Sequence, residues 1–177
     1  MILILELCIV LGVLVVDMLT KGLAETYLTT LPGNSLTVIE GVFNFTFVRN
    51  EGAAWSILSG QRWFFIVTGV IACVAIVWFL LKSKQKSKVL RTGLALMLGG
   101  TMGNLYDRII WGSVRDMLDF ELINFPIFNV ADSALCIGVV LVIIYVLFMY
   151  KEPEKKSEKE SVDQEECALG DEDDGRN

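Results

Sequence analysis

Five charged residues crowd one short stretch of an otherwise greasy chain. In "GGTMGNLYDRIIWGSVRDMLDF", residues 99–120, Asp107, Arg108, Arg115, Asp116 and Asp119 stand between two apolar runs. Further polar residues fall near the same boundary: Asp17, Thr20 and Lys21 end the first apolar run, Asn50 and Glu51 follow a strand-like stretch, Asn104 ends the third run, and Asn129 and Asp132 open the fourth. The chain contains no histidine, which removes the Ser-His-Asp triad, the Cys-His pair and the HExxH zinc site. Carboxylates are then the natural acid–base groups. Two carboxyl groups about 3 Å apart do not both ionise readily, so they share a proton. The charged member can take a proton from water while the neutral member hydrogen-bonds a scissile carbonyl. Attack gives a tetrahedral diol, and return of the proton expels the amine. Neither a metal nor a covalent intermediate is required, and no cofactor is expected.

Each of these groups also has a plainer reading. Asp17 and Lys21 are at i,i+4 and could form a helix-end ion pair. Asp107 with Arg108 could anchor a helix at the membrane interface, and Asp116 alone in a loop would be unremarked. Asp132 could be a favourable acid in a first helical turn, although its neighbours are mostly apolar. Ionisable groups inside a membrane span cost about 2.5–3.5 kcal/mol at the centre and less near the ends, so each asks for a partner or a purpose.

The elements that must carry these residues are membrane helices. The chain is 54% hydrophobic with a mean hydropathy of +0.57, too apolar for an ordinary soluble domain. The net charge of −6 belongs to residues 151–177, which hold 11 of the 21 acids and 5 of the 15 bases; the rest is balanced. Four apolar runs stand out at 2–16, 63–81, 89–105 and 128–150. A crossing helix needs roughly 20 residues, which gives spans of about 2–20, 63–81, 89–106 and 128–150. The first run lacks a basic start and a small-residue cleavage site, so it reads as a retained helix. Cys8, Cys73 and Cys136 lie within apolar runs, form no CxxC pair and read as small buried hydrophobes.

Orientation follows from the excess of bases. Lys82, Lys84, Lys86, Lys88 and Arg91 crowd the link between runs two and three, and Lys151, Lys155, Lys156 and Lys159 open the tail. Both regions read as cytoplasmic, with the links 22–62 and 106–127 outside. In the first outer link, Phe43, Phe45 and Phe47 alternate with Asn44, Thr46 and Val48, a strand period that Gly52 interrupts. Gly99 and Gly103 form a GxxxG pair that suits close helix packing. The fold expected is a membrane all-α bundle of four transmembrane helices with a small extracytoplasmic β element. Residues 1–150 form the membrane domain and 151–177 a disordered acidic cytoplasmic tail.

The blocks "DMLTK" (17–21), "NEGAAWS" (50–56), "GGTMGNLYDRIIWGSVRDMLDF" (99–120) and "FNVADSA" (128–134) resemble, in order, the motifs of the signal peptidase II family, the lipoprotein signal peptidases. The resemblance covers about residues 10–145. It implies an aspartic endopeptidase of the bacterial cytoplasmic membrane that removes signal peptides from prolipoproteins. The cut falls before a diacylglyceryl-modified cysteine, near the outer face. Carried over by motif, the catalytic pair is Asp116 and Asp132. Asn50, Gly52, Asn104, Arg108 and Asn129 match positions that hold substrate and pair, and Asp17, Lys21 and Asp107 match supporting positions. The family pattern also implies an outward β-cradle and an outward amphipathic segment. Two departures are Trp55, where Phe is common, and Arg115, where an apolar residue is common and where a base could lower the pKa of Asp116. Asp119 reads as a solvated or structural acid. The partners expected are such precursors and membrane lipid, with no nucleic acid and a monomeric chain. Two other readings of the charges are an ion- or proton-coupled transport component and a non-enzymatic assembly subunit.

Overall fold

The computed structural model describes residues 2–53, 57–82 and 87–150. The acidic tail and Trp55 lie outside the described residues. The chain folds as helix α1 (Ile2–Leu28), strands β1 (Ser35–Ile39) and β2 (Phe43–Asn50), helices α2 (Arg62–Lys82) and α3 (Lys88–Trp111), strand β3 (Val114–Asp119) and helix α4 (Val130–Ile144). A π-helical turn, Tyr145–Met149, continues α4. Among the described residues, three helical stretches are long and apolar enough to cross a membrane: Leu3–Leu28, Arg62–Lys82 and Val130–Met149.

Two helices outrun their apolar composition. α1 continues to Leu28 rather than ending near residue 20, and α3 continues to Trp111 rather than 106. The buried residues of α1 explain the first case. Glu6, Val10, Asp17, Lys21, Ala24 and Leu28 recur at three-, four- and seven-residue steps, a single helical stripe. Beyond residue 20 this stripe packs under the sheet, where Ala24 and Leu28 meet Phe47 and Met117. A second core lies between α1, α2 and α3, formed by Val10, Ile76, Leu80, Ala95 and Leu98.

α3 is the central helix, and its glycines set how closely its neighbours approach. A Cβ on Gly99 would lie 2.9 Å from Val13 Cβ, and one on Gly100 would lie 2.3 Å from the Ala131 carbonyl oxygen. Gly93 and Gly138 face each other across α3 and α4, where a Cβ on Gly138 would sit 2.6 Å from the Gly93 carbonyl oxygen. The expected GxxxG packing is therefore part of a longer run of small contacts on two faces.

The β element is larger than the single strand read from the Phe alternation. It is an antiparallel sheet in the order β1-β2-β3. A register irregularity between Phe45 and Val48 interrupts the alternation, so Asn44 is buried although it alternates with the phenylalanines. β3, which carries Asp116, follows α3 after a left-handed cap at Gly112 (φ 80°). Its sequence, Val114–Asp119, has no period-two pattern, and this hid it.

Three side-chain expectations need correction. Arg91 is no link base: it is buried in the first turn of α3 and forks onto Glu6 of α1. Cys8 and Cys136 are exposed on helix surfaces rather than buried, and Cys73 is half-buried. Such surfaces on apolar helices suit lipid, so apolar sequence here marks the outside of the bundle as much as its core. Arg115 does not face Asp116. Successive strand residues point to opposite faces, and Arg115 turns to Asp107 and Glu25.

Candidate active site

The first turn of α4 fixes the first acid. Asn129 is its N-cap: the Asn129 side-chain oxygen accepts from the Asp132 backbone N–H at 2.9 Å. Asp132 Oδ2 in turn accepts from the Asn129 N–H at 3.2 Å, closing a reciprocal capping box. The first-turn role read for Asp132 is thus real, and it leaves Oδ1 for another partner. That partner is Asn104 of α3, whose Nδ2 donates at 2.6 Å.

The second acid arrives from the sheet. Asp116 stands opposite Val48 in the β2–β3 ladder. Its Oδ1 accepts from Asn129 Nδ2 at 2.6 Å and its Oδ2 from Asn50 Nδ2 at 3.0 Å. Asn129 therefore touches both acids, through its side chain to Asp116 and its backbone to Asp132. Its Nδ2 also donates to Asn104 Oδ1 at 3.1 Å.

Lys21 stands behind this amide pair. Its ammonium has only protons to offer, so Asn104 turns its oxygen toward it, at 3.0 Å. The Asn104 amino group is then left for Asp132. Lys21 also pairs with Asp17 at 2.8 Å and Asp107 at 3.4 Å. All three are essentially inaccessible, so the pair read as a helix-end contact is in the interior. Asp17 Oδ1 accepts from the Ala131 N–H at 2.9 Å, joining α1 to the start of α4. Gly103 makes room: a Cβ there would lie 2.6 Å from Asp17 Oδ2.

Arg108 and Gly52 form the opposite wall. Arg108 Nη2 donates to the Gly52 carbonyl at 2.9 Å, and its guanidinium lies 4.6 Å from the centre of the Phe65 ring. The Gly52 N–H donates to Asn50 Oδ1 at 2.9 Å. Asp107 is not an interface anchor; it is buried and receives the fork of Arg115. Asp119 accepts from Thr46 Oγ1 at 2.8 Å, a structural use. Thr20 bonds back to its own helix and Glu51 is exposed.

A cavity of about 390 Å³ opens between these groups. Asp116, Asp132, Asn50, Gly52, Asn104 and Arg108 line its polar side. Phe125, Pro126, Ile127, Phe128, Leu135 and Cys136 line an apolar side. Burial, and then the neighbouring Asp132 carboxylate, push the Asp116 carboxyl up to about 7, against the hydrogen bonds from Asn50 and Asn129 and the charge of Lys21. Two carboxyls thus face one cavity, and the one on the sheet stays protonated far above its ordinary range.

Comparison with known proteins shows the family. The sequence model described as Signal peptidase (SPase) II matches residues 9–148. The chain belongs to the signal peptidase II family. It is therefore a protease of that family's aspartic A8 type. The lipoprotein signal peptidase of Bacillus pumilus is 47% identical over 133 residues, 74% of this chain and 84% of the relative. That of Lactobacillus gasseri is 43% identical over 137 residues, 77% of this chain and 89% of the relative. A bacterial membrane enzyme solved by the in meso method at 2.3 Å resolution superposes with a TM-score of 0.75 at 39% identity, covering 85% of this chain and 94% of the other. A second, at 1.9 Å resolution, gives 0.71 at 38% identity, covering 82% and 94%.

The family motifs converge on the cavity, but they leave out several charges that hold it. Glu25 bridges Arg49 at 2.5 Å and Arg115 at 3.1 Å. Arg62 caps the end of α3, donating to the carbonyls of Arg108 and Ile109, each at 2.8 Å. Glu25 carries a signal in the sequence: it continues the i,i+4 series Asp17, Lys21, which shows only when α1 is followed beyond residue 20. Nothing in the sequence pointed to Arg62.

Proposed function

We propose that this chain is a membrane aspartic endopeptidase that removes signal peptides from prolipoproteins, cutting before a diacylglyceryl-modified cysteine, with Asp116 and Asp132 as the catalytic pair. The observation that carries this is the amide bridge. Asn129 contacts both acids, Asn104 and Asn50 complete their partners, and both acids line one cavity.

At neutral pH the pair holds one proton between its two members, and its titration belongs to the pair. The ionised carboxylate takes a proton from water as the water oxygen bonds to the scissile carbonyl carbon. The protonated carboxyl donates to the carbonyl oxygen, giving a neutral gem-diol. The proton taken from water then passes to the departing nitrogen, the C–N bond breaks, and the diol's hydroxyl proton returns to the pair. Asn50, Asn104 and Asn129 keep the carboxyls aimed, and Arg108 with Gly52 orders the wall against which the substrate backbone lies. The apolar wall from Phe125 to Cys136 suits the lipid-bearing residue.

Four spans with both termini cytoplasmic fit this role. α3 has 24 residues, about 36 Å at 1.5 Å per residue, long enough to be the fourth. The bases at 82–88 and 151–159 favour the inside for those ends, which leaves the sheet and cavity near the outer face. The site is complete within one chain, in keeping with a monomer. A transport role is less well supported, because among the described residues the ionic groups form two separate clusters instead of a polar path.

The test is cleavage by the purified full chain of a diacylglyceryl-modified precursor beside the same precursor unmodified. Only the modified one should be cut, and EDTA should not change the rate. Equal cleavage of both would remove lipid recognition from the reading.

A further inference from the structure

The face of β3 turned away from the cavity carries a second constellation. Arg115 is 7% exposed. Its backbone N–H donates to Asp107 Oδ2 at 3.0 Å, its Nε to the same oxygen at 3.2 Å and its Nη2 to Asp107 Oδ1 at 2.7 Å. Its Nη1 reaches Glu25 Oε2 at 3.1 Å. One residue thus fastens the start of β3 to α3 and to α1. Glu25 also holds Arg49, the residue opposite Arg115 in the β2–β3 ladder.

We propose that Arg115, together with Glu25, is a positioning residue for Asp116, an inference that rests on the Asp116–Asp132 reading. The reason lies in what else restrains this part of the strand. Residues 117 and 118 are tied on the far side of β3 by hydrogen bonds to Phe128 at 3.0 and 2.8 Å. Residues 114–116 pair with β2 on one side, and they follow the turn at Gly112, where a left-handed backbone ends the helix. The Arg115 fork supplies the restraint that the second edge of the strand provides further on. It holds Arg115, the residue directly before Asp116, by both its backbone N–H and its side chain, so a displacement there moves the carboxyl relative to Asp132. A misplacement of about 1 Å can cost about a hundredfold in rate. Lysine cannot reproduce the effect, because a single ammonium cannot fork onto Asp107 while reaching Glu25.

Full-length wild type, Arg115→Ala, Arg115→Lys, Glu25→Gln and Asp116→Asn are compared on the diacylglyceryl-modified precursor, with kcat, KM and Tm measured separately. Arg115→Ala should lower kcat by roughly ten- to a hundredfold with KM little changed. Arg115→Lys should recover only part of the loss, and Glu25→Gln should lower kcat in the same direction by less. If Arg115→Ala does not accumulate, the other two variants decide. Unchanged kcat per folded molecule in Arg115→Lys and Glu25→Gln, or losses that follow Tm alone, would overturn the inference. Asp116→Asn separates the two claims: an inactive Asp116→Asn with unaffected Arg115 variants defeats only the positioning role, whereas an active one defeats the catalytic pair.

Discussion

Among the described residues, two ionic clusters tie α1 to α3 at opposite ends, the second reaching into the sheet. At the end away from the sheet, Glu6 accepts the fork of Arg91, and Arg91 adds a hydrogen bond to the Leu80 carbonyl at 3.2 Å. At the sheet end, Asp17, Glu25 and Asp107 are salt-bridged to Lys21, Arg49 and Arg115. Asp116 and Asp132 stand apart from that pattern. Among the described residues neither has a cation within salt-bridge distance, and amide groups hold both. A cation in contact would lock a carboxylate in its charged form. An amide fixes direction without dictating charge as strongly. On the reading proposed for Asp116 and Asp132, the difference separates acids that hold the fold from acids free to exchange a proton.

The sharpest way to break the comparison is to remove the amide bridge. Asn129→Ala should lower kcat by about a hundredfold or more, and loss of its N-cap should cost about 1 kcal/mol in a denaturation curve. Near-normal kcat would mean that the amides are ornamental. The far cluster should behave in the opposite way. Glu6→Gln removes the carboxylate onto which the buried Arg91 guanidinium forks and should destabilise the protein by about 3–5 kcal/mol, with kcat per folded molecule unchanged. Replacing both partners by leucine should return much of that stability. A catalytic defect in the stable double variant would erase the distinction between the clusters.

A smaller effect concerns pH. The Asp116 carboxyl is pushed up to about 7, so the pair keeps its shared proton below that point and loses it above. As pH rises past about 7, the donor to the scissile carbonyl disappears, and kcat/KM should fall toward tenfold per pH unit. A rate flat to pH 9 would contradict a shared proton. The smallest effect expected is none: deleting residues 153–177 should leave kcat and KM unchanged.

The cavity's residues were legible because they sit in blocks that resemble, in order and spacing, the motifs of a known family. Even without that, Asp132 among apolar neighbours was visibly out of place. The framework behind them was less legible for physical reasons. A polar face on α1 beyond residue 20 looks like the end of a membrane helix unless the acids and bases are counted at helical steps. β3 is covered on both faces, by the cavity's amides and by α1 and α3, so its side chains do not alternate and no strand pattern survives. Adjacency in sequence misled at Arg115, because neighbours on a strand face opposite ways. Glu6 and Arg91 are 85 positions apart, and no local pattern could join them.

The most direct measurement is single-turnover cleavage of the diacylglyceryl-modified precursor by purified Asp116→Asn and Asp132→Asn, each with its Tm. The account predicts that both fall by about a thousandfold or more while melting close to the wild type. A well-folded variant of either kind that cuts within tenfold of the wild-type rate would contradict it.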